Sequence, residues 1–241
     1  MYSSASSFLF ILQNYLDAFK PFLIQGLRSF QSFRLCLGAV AAVCDICRAV
    51  EGRIQPYCDE IMAALIDALK DVSINRSVKP PVISCFGDVA LAIGGAYEPY
   101  LQLSAMMLMQ ASGTQAPPDD EDLIEYVNVL RLSILEAYTG IVQGLKGGNK
   151  LHLVMPYVTS IVTFLQQLSV DPNRDDEVLK AGVALIGDIA QVMGDSAEVK
   201  NQINQPFIAQ MLGDASGSPS DSTREIANWA SSAIQRAIQA N

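Results

Sequence analysis

Apolar side chains recur along most of this chain at the three- to four-residue spacing of an amphipathic helix. The clearest case runs from Pro56 to Lys70. Its apolar face is formed by Tyr57, Cys58, Ile61, Leu65 and Leu69. Its opposite face carries Asp59, Glu60, Asp67 and Lys70. Since no segment alternates apolar and polar residues between turn signals as a strand does, the pattern predicts an all-α protein.

The predicted helices extend over almost the whole sequence. They cover residues 15–29, 33–51, 56–70, 82–93, 98–110, 121–146, 151–168, 175–193, 198–212 and 222–239. Glycine and proline stand at several of the breaks between them, and these two residues punctuate helices. Gly94-Gly95 and Gly147-Gly148, for example, are predicted to end the helices that precede them.

A proline followed directly by an aromatic residue occurs five times, and an apolar helical stripe begins at each pair. The pairs are Pro21-Phe22, Pro56-Tyr57, Pro99-Tyr100, Pro156-Tyr157 and Pro206-Phe207. They are separated by 35, 43, 57 and 50 residues. Proline fits the first turn of a helix, where its missing N–H group would have no partner in any case. A helical unit with this period predicts a stacked array of helix pairs, and not a globule with a single core.

An acidic residue inside an apolar run recurs between these pairs. The runs are Val43-Cys44-Asp45-Ile46, Phe86-Gly87-Asp88-Val89 and Ile186-Gly187-Asp188-Ile189, with Glu136 in the position of a further copy. Each unit therefore consists of a helix A with the acidic residue, a turn, and a helix B that opens with proline. This is the HEAT type of repeat, and it predicts an α-solenoid of about five to six repeats. Since buried carboxylates need partners, we expect Asp45, Asp88 and Asp188 to accept hydrogen bonds from backbone N–H groups of the next turn or repeat.

The charge of the chain restricts its partners. Its 241 residues carry a net charge of −9. An acidic surface repels nucleic-acid phosphates and anionic membranes and attracts basic segments, so we expect a basic peptide or protein as partner, without nucleic acid or membrane. No run approaches the roughly 18–20 apolar residues of a membrane span. The five cysteines, an odd number, all lie in predicted apolar helices, which indicates reduced thiols in the cytosol or nucleus.

Three features could carry chemistry, and each has a plainer structural explanation. Cys44 and Cys47 form a C-x-x-C pair, but within an apolar helix and not at a helix start that follows a strand, so a thiol-dependent enzyme is only a third hypothesis. Gly144 to Lys150 resembles a phosphate loop that lacks its second glycine and a preceding strand. His152 is the single histidine and supports neither a triad nor a metal site. We therefore predict no enzyme activity, no metal and no cofactor.

Trp229, the single tryptophan, lies in the last predicted helix among polar neighbours. Two interpretations stay open at this point. Trp229 is either a core residue of the last helix or an aromatic hot spot at an interface, where tryptophan is enriched.

Six strings of sequence go beyond a generic helical repeat. They are LDAFKPFL at residues 16–23, CDICRA at 44–49, PYCDEI at 56–61, RSVKP at 76–80, FGDVALAIGG at 86–95 and LEAYTGIVQGLKG at 135–147. In this order they resemble the C-terminal HEAT-repeat portion of the importin beta family. The resemblance covers residues 15–241 and sets residues 1–14 apart as a non-matching N-terminal tail.

The resemblance implies a right-handed superhelix whose B helices line a concave face. In the family, acidic side chains and tryptophans of that face hold the basic importin-beta-binding segment of importin alpha through charge-assisted bonds and cation–π contacts. Trp229 matches a family tryptophan in the last repeat. Asp59, Glu60 and Asp67 are the acidic partner-binding candidates, chosen from their place on the polar face of a B helix and not from a motif.

The resemblance further implies a nuclear import receptor of the cytoplasm and nucleus, including the nuclear envelope and pore. Its expected partners are importin alpha or basic nuclear-localisation cargo, with FG-nucleoporins as a further class. The main Ran-GTP site of the family is expected to be absent, because it lies in the N-terminal half of the family's proteins, which these residues do not match. The alternative is a HEAT-repeat scaffold that holds a protein complex together without transport activity.

Overall fold

The computed structural model describes the backbone of residues 2–239 and the side chains of residues 15–239. Within that range it contains eleven α-helices and no strand, which confirms the all-α prediction. The helices are α1 (Tyr2–Leu27), α2 (Phe33–Val50), α3 (Cys58–Lys70), α4 (Lys79–Ile93), α5 (Glu98–Ser112), α6 (Glu121–Gly147), α7 (Met155–Val170), α8 (Asp176–Met193), α9 (Ala197–Ile203), α10 (Pro206–Ser216) and α11 (Asp221–Gln239). Short 3-10 turns at Glu51–Tyr57, Arg76–Val78, Gly94–Tyr97 and Leu151–Val154 lead into α3, α4, α5 and α7.

The helices stack in two layers. One layer consists of α1, α3, α5, α7 and α10, and the other of α2, α4, α6, α8 and α11, with each helix packed against the next in its own layer. The layers pair as α1 with α2, α3 with α4, α5 with α6, α7 with α8 and α10 with α11. Apolar side chains such as Leu65, Phe86, Leu108 and Ile134 are fully buried. The arrangement is the predicted HEAT-type solenoid.

Glycines bring two helices of the second layer into backbone contact. A Cβ atom built on Gly140 of α6 would lie 2.5 Å from the Cα of Gly87 on α4, and one on Gly144 would overlap the carbonyl of Ala90. At Gly94, a φ of 55° turns the chain out of α4, as the glycine pair at this point predicts. Helices this close cannot carry side chains at their crossing point.

Among residues 15–239, no glycine of the first layer meets the backbone of a neighbouring helix of that layer, and the helices of this layer touch one another less extensively. When two stacked layers have the same number of repeats, the array curves toward the more closely spaced layer. We therefore call α2, α4, α6, α8 and α11 the inner layer and the others the outer layer. The expectation that the proline-initiated helices line the concave face is wrong, because α3, α5, α7 and α10 belong to the outer layer.

Four of the five proline–aromatic pairs lie in the first turn of a helix or in the 3-10 turn that leads into one. Pro99, Pro156 and Pro206 lie in the first turn of α5, α7 and α10, and Pro56 lies in the 3-10 turn before α3. Pro21 instead lies inside α1, so no helix begins there. The boundary predicted between residues 14 and 15 also falls within α1. The helix predicted at 198–212 is divided into α9 and α10, which are separated by residues 204 and 205.

Two helical stretches, Arg76–Ser112 and Leu151–Val170, are apolar enough on average to cross a membrane, although the sequence shows no long run of purely apolar residues. The first is interrupted at Gly94, so neither α4 nor α5 exceeds 15 residues. About 20 residues are needed to span a bilayer. Roughly half of each apolar window is buried against other helices, which accounts for its composition.

Candidate protein-binding surface

A shallow groove of about 410 Å³ crosses four helices of the inner layer. Its lining residues are Arg48 of α2, Ser84, Gly87, Asp88 and Leu91 of α4, Glu136, Thr139 and Gly140 of α6, and Ala181 and Ala184 of α8. The glycines and alanines make a floor that is close to the backbone, and the charged side chains stand beside it. Such a groove can admit an extended or helical segment with long side chains.

Arg48 connects two of the acidic repeat positions. Its guanidinium donates to Asp88 at 2.9 and 3.2 Å, across the gap between α2 and α4. It also donates to Asp45 at 3.0 Å within α2. The Asp88 side chain is only 16% exposed, whereas that of Asp45 is 77% exposed and keeps most of its surface available.

The other two acidic positions also bond to side chains of the preceding helix in the layer. Glu136 is exposed and accepts a hydrogen bond of 2.9 Å from the Ser84 hydroxyl. Asp188 accepts one of 2.6 Å from the Gln143 amide. Burial raises the pKa of Asp188 above its usual range, although the bond from Gln143 partly opposes the shift.

These contacts correct one expectation. The carboxylates of Asp45, Asp88 and Asp188 bond to the side chains of Arg48 and Gln143, where backbone N–H groups were expected as donors. The helical backbone has already used its N–H groups within each helix, so the ladder between repeats is built from side chains.

Trp229 lies on α11, the last helix of the inner layer, and is half-buried. Its ring is seated on Gly187 of α8, where any Cβ atom would overlap the six-membered ring. Asp188 follows Gly187 in the sequence of α8, and its carboxylate is bonded to Gln143 of α6. Trp229 therefore combines the two interpretations left open by the sequence: one side packs on the core and the other is accessible.

The three acidic candidates on α3 lie in the outer layer, and the structure does not bring them together with Trp229. Asp59 accepts a hydrogen bond of 2.6 Å from the Tyr100 hydroxyl. Glu60 pairs with Lys20 at 2.7 Å. Asp67 lies 3.7 Å from Arg28. Each carboxylate thus has a partner on, or directly after, a neighbouring helix of the outer layer.

Several residues of the inner-layer groove were missed by sequence reasoning, notably Ser84, Arg48 and Gly140. The glycine before Asp88 and Asp188 was a usable signal, since glycine inside a helix often marks close approach of another helix. The partner glycine on α6 lies outside any such Gly-Asp pair, so no local pattern identifies it.

The thiols do not form a reactive site. All five cysteines are free and buried. Burial raises the pKa of Cys58 to about 12 and that of Cys47 further, which keeps both thiols protonated at neutral pH. Among the side chains of residues 15–239, no three His, Cys, Asp or Glu groups are placed to hold a metal ion.

Comparison with known proteins links this architecture to one family. The family model described as importin subunit beta-1-like, TPR repeats, matches residues 5–216, which includes residues 5–14 of the segment set apart above. Importin subunit beta-1 of Schizosaccharomyces pombe is 38% identical over 228 residues, covering 94% of this chain and 26% of that protein.

Solved structures agree with the sequence relatives. A crystal structure of importin beta from an ammonium sulfate condition superposes with a TM-score of 0.89 at 35% identity, over 95% of this chain and 27% of the other. A structure of a Kap95:Nup1 complex gives a TM-score of 0.84 at 29% identity, over 94% and 26% of the two chains. The chain thus spans about a quarter of the length of the relatives that it matches.

Proposed function

Because this chain belongs to the importin beta family, we propose that it serves nuclear protein import by binding a basic segment on its inner layer. The segment would be the importin-beta-binding part of importin alpha or a basic nuclear-localisation cargo. The observation that carries the proposal is a row of carboxylates at a groove floored by glycine and alanine: Asp88 and Glu136 line the groove, and Asp45 adjoins it through the hydrogen bond that it accepts from Arg48. The proposed role places the protein in the cytoplasm and nucleus.

The three carboxylates of this row differ in how exposed they are to solvent, and this difference decides which of them would bind a partner. Asp88 is largely covered and already shares its charge with Arg48. Asp45 and Glu136 are exposed, so an incoming lysine or arginine can reach them without breaking the Arg48–Asp88 pair. Because Gly87 and Gly140 have no side chains, the aliphatic stems of an incoming lysine or arginine can lie close to the backbones of α4 and α6.

Trp229 would contribute at the other end of the inner layer. A guanidinium or ammonium group over its accessible ring gains a cation–π contact of about 0.5–1 kcal/mol. The proposal therefore includes Trp229 and assigns the acidic role to the inner layer, with Asp59, Glu60 and Asp67 of α3 as the competing outer-layer candidates.

The test is the affinity of this chain for a fluorescein-labelled basic peptide from the N-terminal segment of importin alpha. We expect the double variant Asp45→Asn/Glu136→Gln to weaken binding about two- to thirtyfold, since each exposed pair contributes about 0.2–1 kcal/mol. Binding should also weaken between about 0.05 and 0.2 M salt. Trp229→Leu, which keeps an apolar side chain over Gly187, should weaken it further without unfolding α11.

The matched control removes equal charge from the outer layer. The variant Asp59→Asn/Glu60→Gln should bind the peptide as the parent does, apart from a small long-range effect. If this control loses more affinity than the inner-layer variant, the binding face is the outer layer. Equal affinity of every variant, or no saturable binding by a folded sample, would refute the proposed role for the described surface.

A scaffold or nucleoporin-binding role is the second candidate, and it is favoured by apolar side chains on the outer layer. Tyr15, Phe19 and Phe22 follow one face of α1 and are 46–71% exposed. Met106 and Met109 of α5 are also exposed. A partner bound there would show little salt dependence. The related Kap95 has been solved in complex with Nup1, so we propose apolar nucleoporin segments as a class of partner for this layer.

A further inference from the structure

A second pocket lies away from the inner-layer groove, at the ends of α3 and α5. It has a volume of about 490 Å³, within the roughly 300–1,000 Å³ usual for ligand sites. Its apolar wall is formed by Leu69, Ile83, Met107, Ala111, Tyr126 and Leu130. Ile83, Met107 and Leu130 are buried, so the pocket opens directly onto the hydrophobic core between α4, α5 and α6.

The rim of this pocket is basic, in a protein whose net charge is −9. Lys70, the last residue of α3, and Lys79, the first of α4, both line it. The Arg76 guanidinium lies 5.2 Å from the centre of the Tyr126 ring, which forms part of the wall. Two cations therefore line this apolar cavity, and a third contacts the aromatic ring of its wall.

These cations are not used by the fold as ion-pair partners. Among the side chains of residues 15–239, neither Lys70, Lys79 nor Arg76 lies within ion-pair distance of a carboxylate, whereas Lys20, Arg28, Arg48 and Arg131 all do. Asp71 lies on the connection between α3 and α4, and its carboxylate accepts hydrogen bonds from the Ser73 hydroxyl and from the N–H groups of Ser73 and Ile74. These bonds and, to a smaller extent, the charge of Lys79 lower the pKa of Asp71, so this carboxylate offsets part of the positive charge of the rim. The rest of the positive charge of the rim is available to a ligand.

We infer that this pocket binds a short acidic peptide segment of a partner protein, with one large apolar side chain in the cavity and carboxylates on the rim. The charge pattern selects this occupant. A basic segment, which suits the inner layer, would meet three like charges here. A nucleic acid would meet the repulsion of the whole acidic surface, but a short peptide experiences mainly the local potential. Val72, which is 98% exposed beside the pocket, offers a further apolar contact.

The site is distinct from the inner-layer groove, so one protein can hold two segments of opposite charge at once. The groove is formed by α2, α4, α6 and α8, and the pocket by α3, α5 and the outer ends of α4 and α6. No lining residue is shared. Binding of an acidic segment at the pocket is therefore expected to leave the affinity for a basic peptide unchanged.

The experiment measures fluorescence anisotropy of a fluorescein-labelled peptide in which glutamates flank a central phenylalanine. We expect saturable binding that weakens with salt. The variant Lys70→Gln/Lys79→Gln should lower the affinity about two- to thirtyfold, because two partly exposed charge contacts are lost. Ala111→Phe, which fills the cavity without a change of charge, should abolish binding.

Matched controls separate local from general effects. Arg53→Gln/Lys146→Gln removes the same charge elsewhere and should bind the peptide only slightly less well than the parent. Thermal melting confirms that each variant is folded, and a peptide with alanine in place of phenylalanine should bind much more weakly. Three results would overturn the inference: no saturable binding below about 1 mM, equal losses in the two lysine and arginine double variants, or equal affinity for a peptide with lysines in place of the glutamates.

Discussion

The contact between Gly87 and Gly140 should decide the spacing of the inner layer, and the substitution Gly140→Ala tests it. Two opposing effects determine the result. Alanine favours a helix over glycine by about 0.8–1 kcal/mol. The new methyl group, however, would lie 2.5 Å from the Cα and 2.6 Å from the carbonyl oxygen of Gly87, both of them backbone atoms that cannot rotate away.

The cost of that overlap exceeds the gain in helix propensity. Carbon atoms normally approach no closer than about 3.5–4.0 Å, so α4 and α6 must separate by roughly 1 Å. Overpacking of a well-packed interface costs about 1–3 kcal/mol, and separation of helices with direct backbone contact belongs at the upper end. After the gain from propensity is subtracted, we expect Gly140→Ala to lower the free energy of unfolding by about 1–2 kcal/mol.

Urea unfolding followed by circular dichroism measures this change, with Gly38→Ala as the matched control. Gly38 is exposed in the middle of α2, and a Cβ atom there meets no atom within 4 Å. The control should therefore raise the free energy of unfolding by up to about 1 kcal/mol. If Gly140→Ala is stabilised to the same extent, the backbones of α4 and α6 are not in contact and the inner-layer assignment loses its main support.

Two further substitutions test the interior. The hydroxyl of Tyr97 is fully buried, and the Ser104 side chain interacts with it but lies outside regular hydrogen-bond geometry. Tyr97→Phe should therefore leave the free energy of unfolding unchanged or raise it by up to about 1 kcal/mol, and a loss of more than about 1 kcal/mol would show that Ser104 makes a full hydrogen bond to Tyr97. The buried pair of Arg131 and Asp171 is joined at 2.5 Å, so Arg131→Ala should cost about 3–5 kcal/mol in urea unfolding, because the carboxylate loses its cation. Hydrogen bonds from Asn173 and Arg131 outweigh burial and hold the pKa of Asp171 below its usual value. The stabilisation that ionised Asp171 gives to the fold is therefore fully present above about pH 4, and it is lost as the pH falls through the lower pKa of Asp171 in the folded protein. In an acid titration, the Arg131→Ala variant should lose less stability than the parent over this pH range.

The sequence was sufficient for the repeat architecture because local chemistry determines it. Pro99, Pro156 and Pro206 each occupy the first turn of a helix, as their missing N–H groups predict. Pro21 misled because helical residues precede it as well as follow it, so α1 continues through the proline. The concave face could not be predicted in this way. Hydrophobic periodicity shows that Asp59 faces solvent, but it does not show which of the two layers has the more closely spaced helices.

Helix spacing depends on contacts between residues far apart in sequence. Gly87 and Gly140 are 53 positions apart, and Gly187 meets the ring of Trp229 on a helix 42 positions later. Both contacts draw inner-layer helices together, and Gly87 and Gly140 also line the groove beside Asp88 and Glu136. The glycines of the contact between α4 and α6 therefore bring these helices together and also form part of the floor of the groove. A charge on α3 has no such floor beside it, and this difference favours the inner layer as the binding face.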